Sequence, residues 1–257
     1  MSDLEQLSEA TVSSSETEGS KTSPERKKVA VIFAHPDDPD FSCAGTVAKW
    51  TDEGHEVVYV LLTNGDKGSH DPEMSPERLV ELRQEEQRAA AAILGVKEVI
   101  FLGRPDGMLV ADLELRRDVV RVIRQLKPTT VVCGDPTVFW YAPWYINHPD
   151  HRAAAEVVLA ALYPAAGNRN YFPELLAEGF EPHKIKELYI SGSPQADTFI
   201  DITPYMDRKI TALRAHVSQM GDWNPEEPIR EWAARDGKRA DPPLEYAEDF
   251  LYFTPEG

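Results

Sequence analysis

The sequence predicts a doubly wound α/β fold, with a mostly parallel sheet and helices on both faces. Three observations carry that prediction. Val29 to Ala34 is an unbroken apolar run, as in a strand buried on both faces. Short apolar runs then alternate with helix-length segments, and the crossovers are long enough to join parallel strands. Polar loops containing His-Pro-Asp follow the first and fourth apolar runs, at the strand ends where such sheets carry their ligands.

The elements follow in order. Residues 1–28 are rich in Ser, Thr and Glu and hold almost nothing to bury, which predicts a disordered acidic tail. One domain is expected over residues 29–257. After the first strand, a helix is expected from about Ser42 to Glu53, stopped by Gly54. Glu56 to Thr63 is the second strand, and Asn64 to Met74 is a polar loop. Ser75 is placed to cap a long helix, with Pro76 at its first position and Gly95 at its end. Glu98 to Leu102 is the third strand, Asp112 caps a helix ending near Lys127, and Thr129 to Cys133 is the fourth strand. A long aromatic loop follows, from Gly134 to Pro149, and then a helix from about Asp150 to Leu162. Strands are expected near Ile185–Ser191 and Thr198–Ile202, and Thr203-Pro204 opens another helix. The last 35 or so residues, rich in Pro, Trp and charge, read as irregular or short-helical packing. The alternation makes the fold Rossmann-like, yet no G-x-G-x-x-G follows the first strand.

Composition narrows the function. Lys and Arg total 27 against 44 Asp and Glu, a formal net charge of −17. Nucleic-acid binders need a cationic footprint, and anionic membranes attract basic segments, so neither is an expected partner. No apolar run approaches the roughly 20 residues of a membrane span. Residues 1–28 have no apolar stretch of the signal-peptide kind and are too acidic for a transit peptide. Cys43 and Cys133 cannot form a disulfide framework, and they read as small buried hydrophobes in a cytoplasmic, reducing setting.

Two clusters carry chemistry. The first is Ala34-His35-Pro36-Asp37-Asp38, in a turn that Pro36 stiffens. The second is Asn147-His148-Pro149-Asp150-His151. In doubly wound sheets the loops that carry them face each other across one crevice. Together they offer two imidazoles and a carboxylate for a metal, with one Asp and one His to spare. Three N/O ligands and an open position describe a catalytic zinc site, although other divalent metals suit the same donors.

With these motifs the chain resembles the LmbE-like, PIG-L type zinc-dependent N-acetylglucosamine deacetylases. Leu82-Arg83-Gln84-Glu85-Glu86, Leu102-Gly103-Arg104-Pro105-Asp106-Gly107 and Ala212 to Gln219 support the resemblance by order and spacing. It implies one Zn2+ per chain held by His35, Asp38 and His151, with Asp37 as general base. It also implies His148 as the group that stabilises the oxyanion or protonates the leaving amine, and Asp150 is a candidate to orient it. Arg83 and Asp106 would contact a small N-acetyl amino sugar or conjugate, and a homo-oligomer is plausible for the family. Where many members have Glu directly after A-H-P-D-D, this chain has Pro39-Asp40.

Local readings stand beside these. Arg83 and Glu86 can pair at i,i+3 on a solvated helix face. Asp106 and Asn64, the latter also a candidate for substrate contact, sit in sequences typical of turns. Phe139 to Tyr145 offers aromatic faces that suit either a sugar or burial. His216 and Gln219 either support the site or serve structure. Hydrolysis of a non-sugar amide, or a non-catalytic binding module, would fit the same two clusters.

Overall fold

The computed structural model describes residues 26–255. Nearly all of the expected acidic tail therefore lies outside the described residues. Seven strands form one sheet in the order β3-β2-β1-β4-β7-β9-β8. They are β1 (Lys28–Phe33), β2 (Glu56–Thr63), β3 (Glu98–Arg104), β4 (Thr130–Gly134), β7 (Glu187–Ser191), β8 (Thr198–Asp201) and β9 (Ala247–Phe253). β1 to β4 and β7 pair in parallel, whereas β9 runs antiparallel to both β7 and β8.

Alternate residues of β1 explain its apolar run. Ala30 and Ile32 pack on one face, with Val119 and Ile123 of α3 (Leu113–Leu126) and Val157 and Val158 of α4 (Pro149–Ala160). Val29 and Val31 pack on the other, with Val47 of α1 (Asp38–Asp52) and Ala90 and Leu94 of α2 (Pro76–Leu94). Both faces of the strand are dry, so no alternation is needed. Ser75 accepts from Arg78 N and Asp112 from Leu115 N, as the capping patterns predict.

Three expectations need correction. Helix α1 begins at Asp38 rather than Ser42, because Pro39 takes a first-turn position where its missing N–H costs nothing. The aromatic loop contains a two-stranded hairpin, β5 (Trp140–Ala142) and β6 (Tyr145–Ile146). The final stretch is regular: it holds α8 (Glu226–Gly237) and β9, which lies between two strands of the sheet. Helix α8 buries only Ile229, Ala233 and Gly237, too thin a stripe to read. Strand β9 carries Glu248 and Asp249, which interrupt its apolar pattern. In addition, Thr203-Pro204 opens a short 3-10 turn, and α6 (Met206–Arg214) follows it.

Helix α1 is broken at Cys43, where φ is −149° and ψ is 21°. The break leaves the N–H groups of Gly45 and Thr46 without helical acceptors. Glu248 of β9 accepts both, at 3.0 and 2.7 Å, and its Oε1 is 2.6 Å from Lys209 Nζ of α6. Gly45 is required here, since a Cβ would lie 2.7 Å from the Ile202 side chain. Both cysteines are fully buried, and burial pushes the thiol of Cys133 up to about 12 and that of Cys43 well above its usual range. Neither should react with a thiol reagent in the native protein, and both should react in denaturant. Mass analysis after timed labelling checks this, and fast native labelling would contradict it.

Candidate active site

The strand order reverses between β1 and β4, so the loops after these two strands border one crevice. After β1, the N–H and Oγ1 of Thr63 both bond Ala34 O, at 2.8 and 2.9 Å, and tie the His-Pro-Asp turn to the end of β2. Asp37 then adopts φ 95°, a conformation that costs a side-chain-bearing residue about 1–3 kcal/mol. Its surroundings hold it there. Gln87 Oε1 accepts from Asp37 N at 2.7 Å, Arg83 Nη2 donates to Pro36 O at 2.7 Å, and Asp37 O accepts from the N–H groups of Asp40 and Phe41. After β4, His148 caps α4, its Nδ1 accepting from Asp150 N at 3.2 Å.

The two clusters meet at Asp38. One carboxylate oxygen is 3.4 Å from His35 Nδ1 and the other 3.0 Å from His151 Nε2. The outer ring nitrogens are engaged. His35 Nε2 lies 3.0 Å from Asp106 and 3.3 Å from Asp150, and His151 Nδ1 lies 2.9 Å from Asn147 Oδ1. Such outer contacts fix ring orientation at metal sites. Asp150 is fully buried, and its carboxylate also accepts from Gly107 N (2.7 Å) and Leu109 N (3.1 Å). His148 is thus oriented by the backbone of Asp150, whose carboxylate turns towards His35 instead.

The charges explain the titration behaviour. Burial alone would lower His35, but Asp38, Asp106 and Asp150 lift it to about 12. Asp38 lies well below the carboxylate range, because His151 and His35 outweigh its burial. Burial raises Asp37 to about 6 against the pull of Arg83, whose Nη2 is 3.4 Å from its carboxylate. His148 is lowered by burial and by the charge of His35. Carboxylates gathered around imidazoles make an oxygen- and nitrogen-rich site that favours a cation, and these donors fit a divalent metal. Among the described residues two groups, His35–His148–His151 and His35–Asp106–His148–Asp150, bring ligand atoms within 4.8 Å of one another, and Asp38 belongs to neither.

The site opens into a cleft of about 1500 Å³ lined by His35, Asp37, Asp38, Arg83, Asp106, His148 and His151. The β5–β6 hairpin forms one rim, with Trp140, Trp144 and Tyr145 exposed. A sequence profile of the PIG-L family, described as GlcNAc-PI de-N-acetylase, matches residues 30–162, which include both clusters. The chain belongs to the PIG-L family. Diacetylchitobiose deacetylase of Thermococcus kodakarensis is 38% identical over 77% of this chain and 74% of its own length. A probable N-acetyl-alpha-D-glucosaminyl L-malate deacetylase of Bacillus anthracis is 31% identical over 75% of this chain and 81% of its own. Among solved structures, N,N'-diacetylchitobiose deacetylase of Pyrococcus horikoshii superposes with a TM-score of 0.82 at 29% identity, covering 90% of this chain and 85% of that one.

Within this PIG-L site the remaining expected residues take varied positions. Arg83 is buried rather than solvated. It does not pair with Glu86, which instead accepts from Ser218 N and Oγ at 2.7 and 2.6 Å. Arg83 Nη1 donates to Gly65 O at 3.1 Å. Gly65 must be glycine, with φ +69° and a would-be Cβ only 2.7 Å from that guanidinium. Asp106 is in the cleft wall, its N–H bonded to Asp66 Oδ1 at 2.8 Å. Asn64 stays within its loop, its Oδ1 accepting from Asp66 N at 3.1 Å, and it does not line the cleft. Gln87 was not singled out by sequence; a glutamine inside a helix gives no local sign that it reaches the Asp37 backbone. Among the described residues no helix is long and apolar enough to cross a membrane.

Proposed function

We propose that this chain is a metal-dependent hydrolase that removes the acetyl group from an N-acetylglucosamine-type sugar or sugar conjugate. The observation that carries the reading is the seating of the Asp38 carboxylate between His35 and His151, with Asp37 beside it at the cleft. Deacetylases of N-acetylated sugars among its PIG-L relatives support the choice of bond. His35, Asp38 and His151 would hold one metal per chain, and zinc suits three N/O ligands. The alternative set that includes Asp150 is less suited, since that carboxylate accepts two backbone N–H groups, one on each oxygen, where Asp38 accepts one, from His35. A metal held there supplies Lewis acidity that polarises a carbonyl and acidifies water.

The chain's own groups do the rest. Asp37, lifted towards neutrality, accepts the proton of the attacking water. His148 Nδ1 is taken by Asp150 N–H, so neutral His148 carries its proton on Nε2 and offers it as a hydrogen bond to the developing oxyanion, while the proton taken by Asp37 passes to the departing amine. Arg83 and Asp106 border the same cleft, where they would contact the sugar, with one Asp106 oxygen held 3.0 Å from His35 Nε2. Two buried thiols favour a cytoplasmic setting.

Acetate release from a panel of N-acetyl sugars, with and without a chelator, tests the reading. Release that the chelator abolishes is expected; no release from any sugar would remove it. His35→Ala should lose most bound metal by elemental analysis while remaining folded. A full metal complement in that variant would overturn the ligand set.

A further inference from the structure

We infer that Gln87, locked in one orientation by Asp40 and His216, is a positioning residue for Asp37; the inference rests on the proposed role of Asp37 as the base. Four residues from three separate segments make one chain of hydrogen bonds. His216 Nε2 donates to Asp40 Oδ2 at 2.8 Å, Gln87 Nε2 donates to the same oxygen at 2.7 Å, and Gln87 Oε1 accepts from Asp37 N at 2.7 Å. Asp40, Gln87 and His216 are fully buried. Tyr59 completes the Asp40 carboxylate with a 3.3 Å bond to Oδ1.

The chain has a direction. A carboxylate oxygen only accepts, so both His216 and the Gln87 amide must present N–H to Asp40. The Gln87 carbonyl is then forced towards Asp37. A flipped amide would set oxygen against Asp40 and N–H against N–H, with no water to relieve either clash. Asp37 needs this grip because its backbone is left-handed at φ 95°. Rotation of that peptide would swing the carboxylate that faces the cleft. Gln87 lies one turn beyond Arg83 on α2, and Arg83 holds the preceding carbonyl, Pro36 O. One helix face therefore grips the Asp37 backbone from both sides of its N-terminal peptide. Glu86, on the same face, binds Ser218 and so fixes the segment that carries His216.

The test is Gln87→Met, which keeps the volume and removes both bonds, made in the wild-type and Asp37→Asn backgrounds. In the wild-type background kcat should fall about 10²-fold, the scale of a misplacement near 1 Å, with KM nearly unchanged. Bound metal should stay at the wild-type stoichiometry. In the Asp37→Asn background the same change should cost no further rate, since Gln87 acts through that carboxylate. Losses that multiply in the double variant, an unchanged kcat, or loss of metal would each overturn the assignment. Should Gln87→Met fail to fold, Asp40→Leu, which removes the acceptor that sets the amide direction, is expected to give the same pattern. Asp37→Asn alone separates the two readings. If it keeps full activity, the base assignment fails; if it is inactive while Gln87→Met is not, only the positioning role fails.

Discussion

Asp37→Asn should retain its metal and lose about 10²–10⁴-fold in kcat, the usual contribution of a positioned general base. The geometry makes this substitution clean. An Asn oxygen can still face Arg83 Nη2, now 3.4 Å from the carboxylate, and the backbone bond to Gln87 does not involve the side chain. His35, Asp38 and His151 are untouched. What disappears is a basic oxygen that burial has raised to about 6, within reach of working pH. The measurement is acetate release beside elemental analysis of the same preparation. Undiminished turnover would exclude Asp37 as base, and metal lost together with activity would reassign it as a ligand.

Glu248→Ala should destabilise the protein by about 3–5 kcal/mol, the cost of stripping one partner from a buried ion pair. Lys209 would keep only the carbonyl of Phe41, and its side chain is 5% exposed, so water cannot take over. The Gly45 and Thr46 N–H groups at the break in α1 would lose their acceptor as well. Urea unfolding should show a lower midpoint with the slope preserved. Replacing both partners by apolar residues, as in Glu248→Leu with Lys209→Met, should recover part of the loss, because no charge is then left stranded. An unchanged midpoint in Glu248→Ala would show that water reaches the ammonium.

What the sequence made legible was local. Ala34-His35-Pro36-Asp37-Asp38 and His148-Pro149-Asp150-His151 each stand directly against an element boundary, so their position at the crevice could be read from chain order. The sheet from β1 to β4 was legible because β1, β2 and β4 are dry apolar runs and the half-buried edge strand β3 still carries the apolar Val99 to Leu102. Strand β9 was not, since Glu248 is buried only by virtue of Lys209 and the broken helix, neither of which is near it in sequence. The same reason hid Gln87 and the links that join it to Asp40 and His216. Each of the three is an ordinary polar residue until the fold brings Gln87 and His216 within 3 Å of Asp40. For Asp150 the position was readable and the direction of its carboxylate was not, because Gly107 and Leu109 decide it from another loop.

The pairing of Glu248 with the start of α1 also orders events during synthesis. Gly45 leaves the ribosome about two hundred residues before the carboxylate that receives its N–H. Until β9 emerges, β8 has no neighbour, Lys209 has no counter-charge and the second half of α1 has no cap. The parallel half of the sheet can assemble as it appears, whereas the far half waits for a strand that must slide in between two others. A nascent chain stalled before Ala247 would therefore present an unfinished sheet edge to chaperones and proteases, even though every residue of the two His-Pro-Asp clusters had already been made.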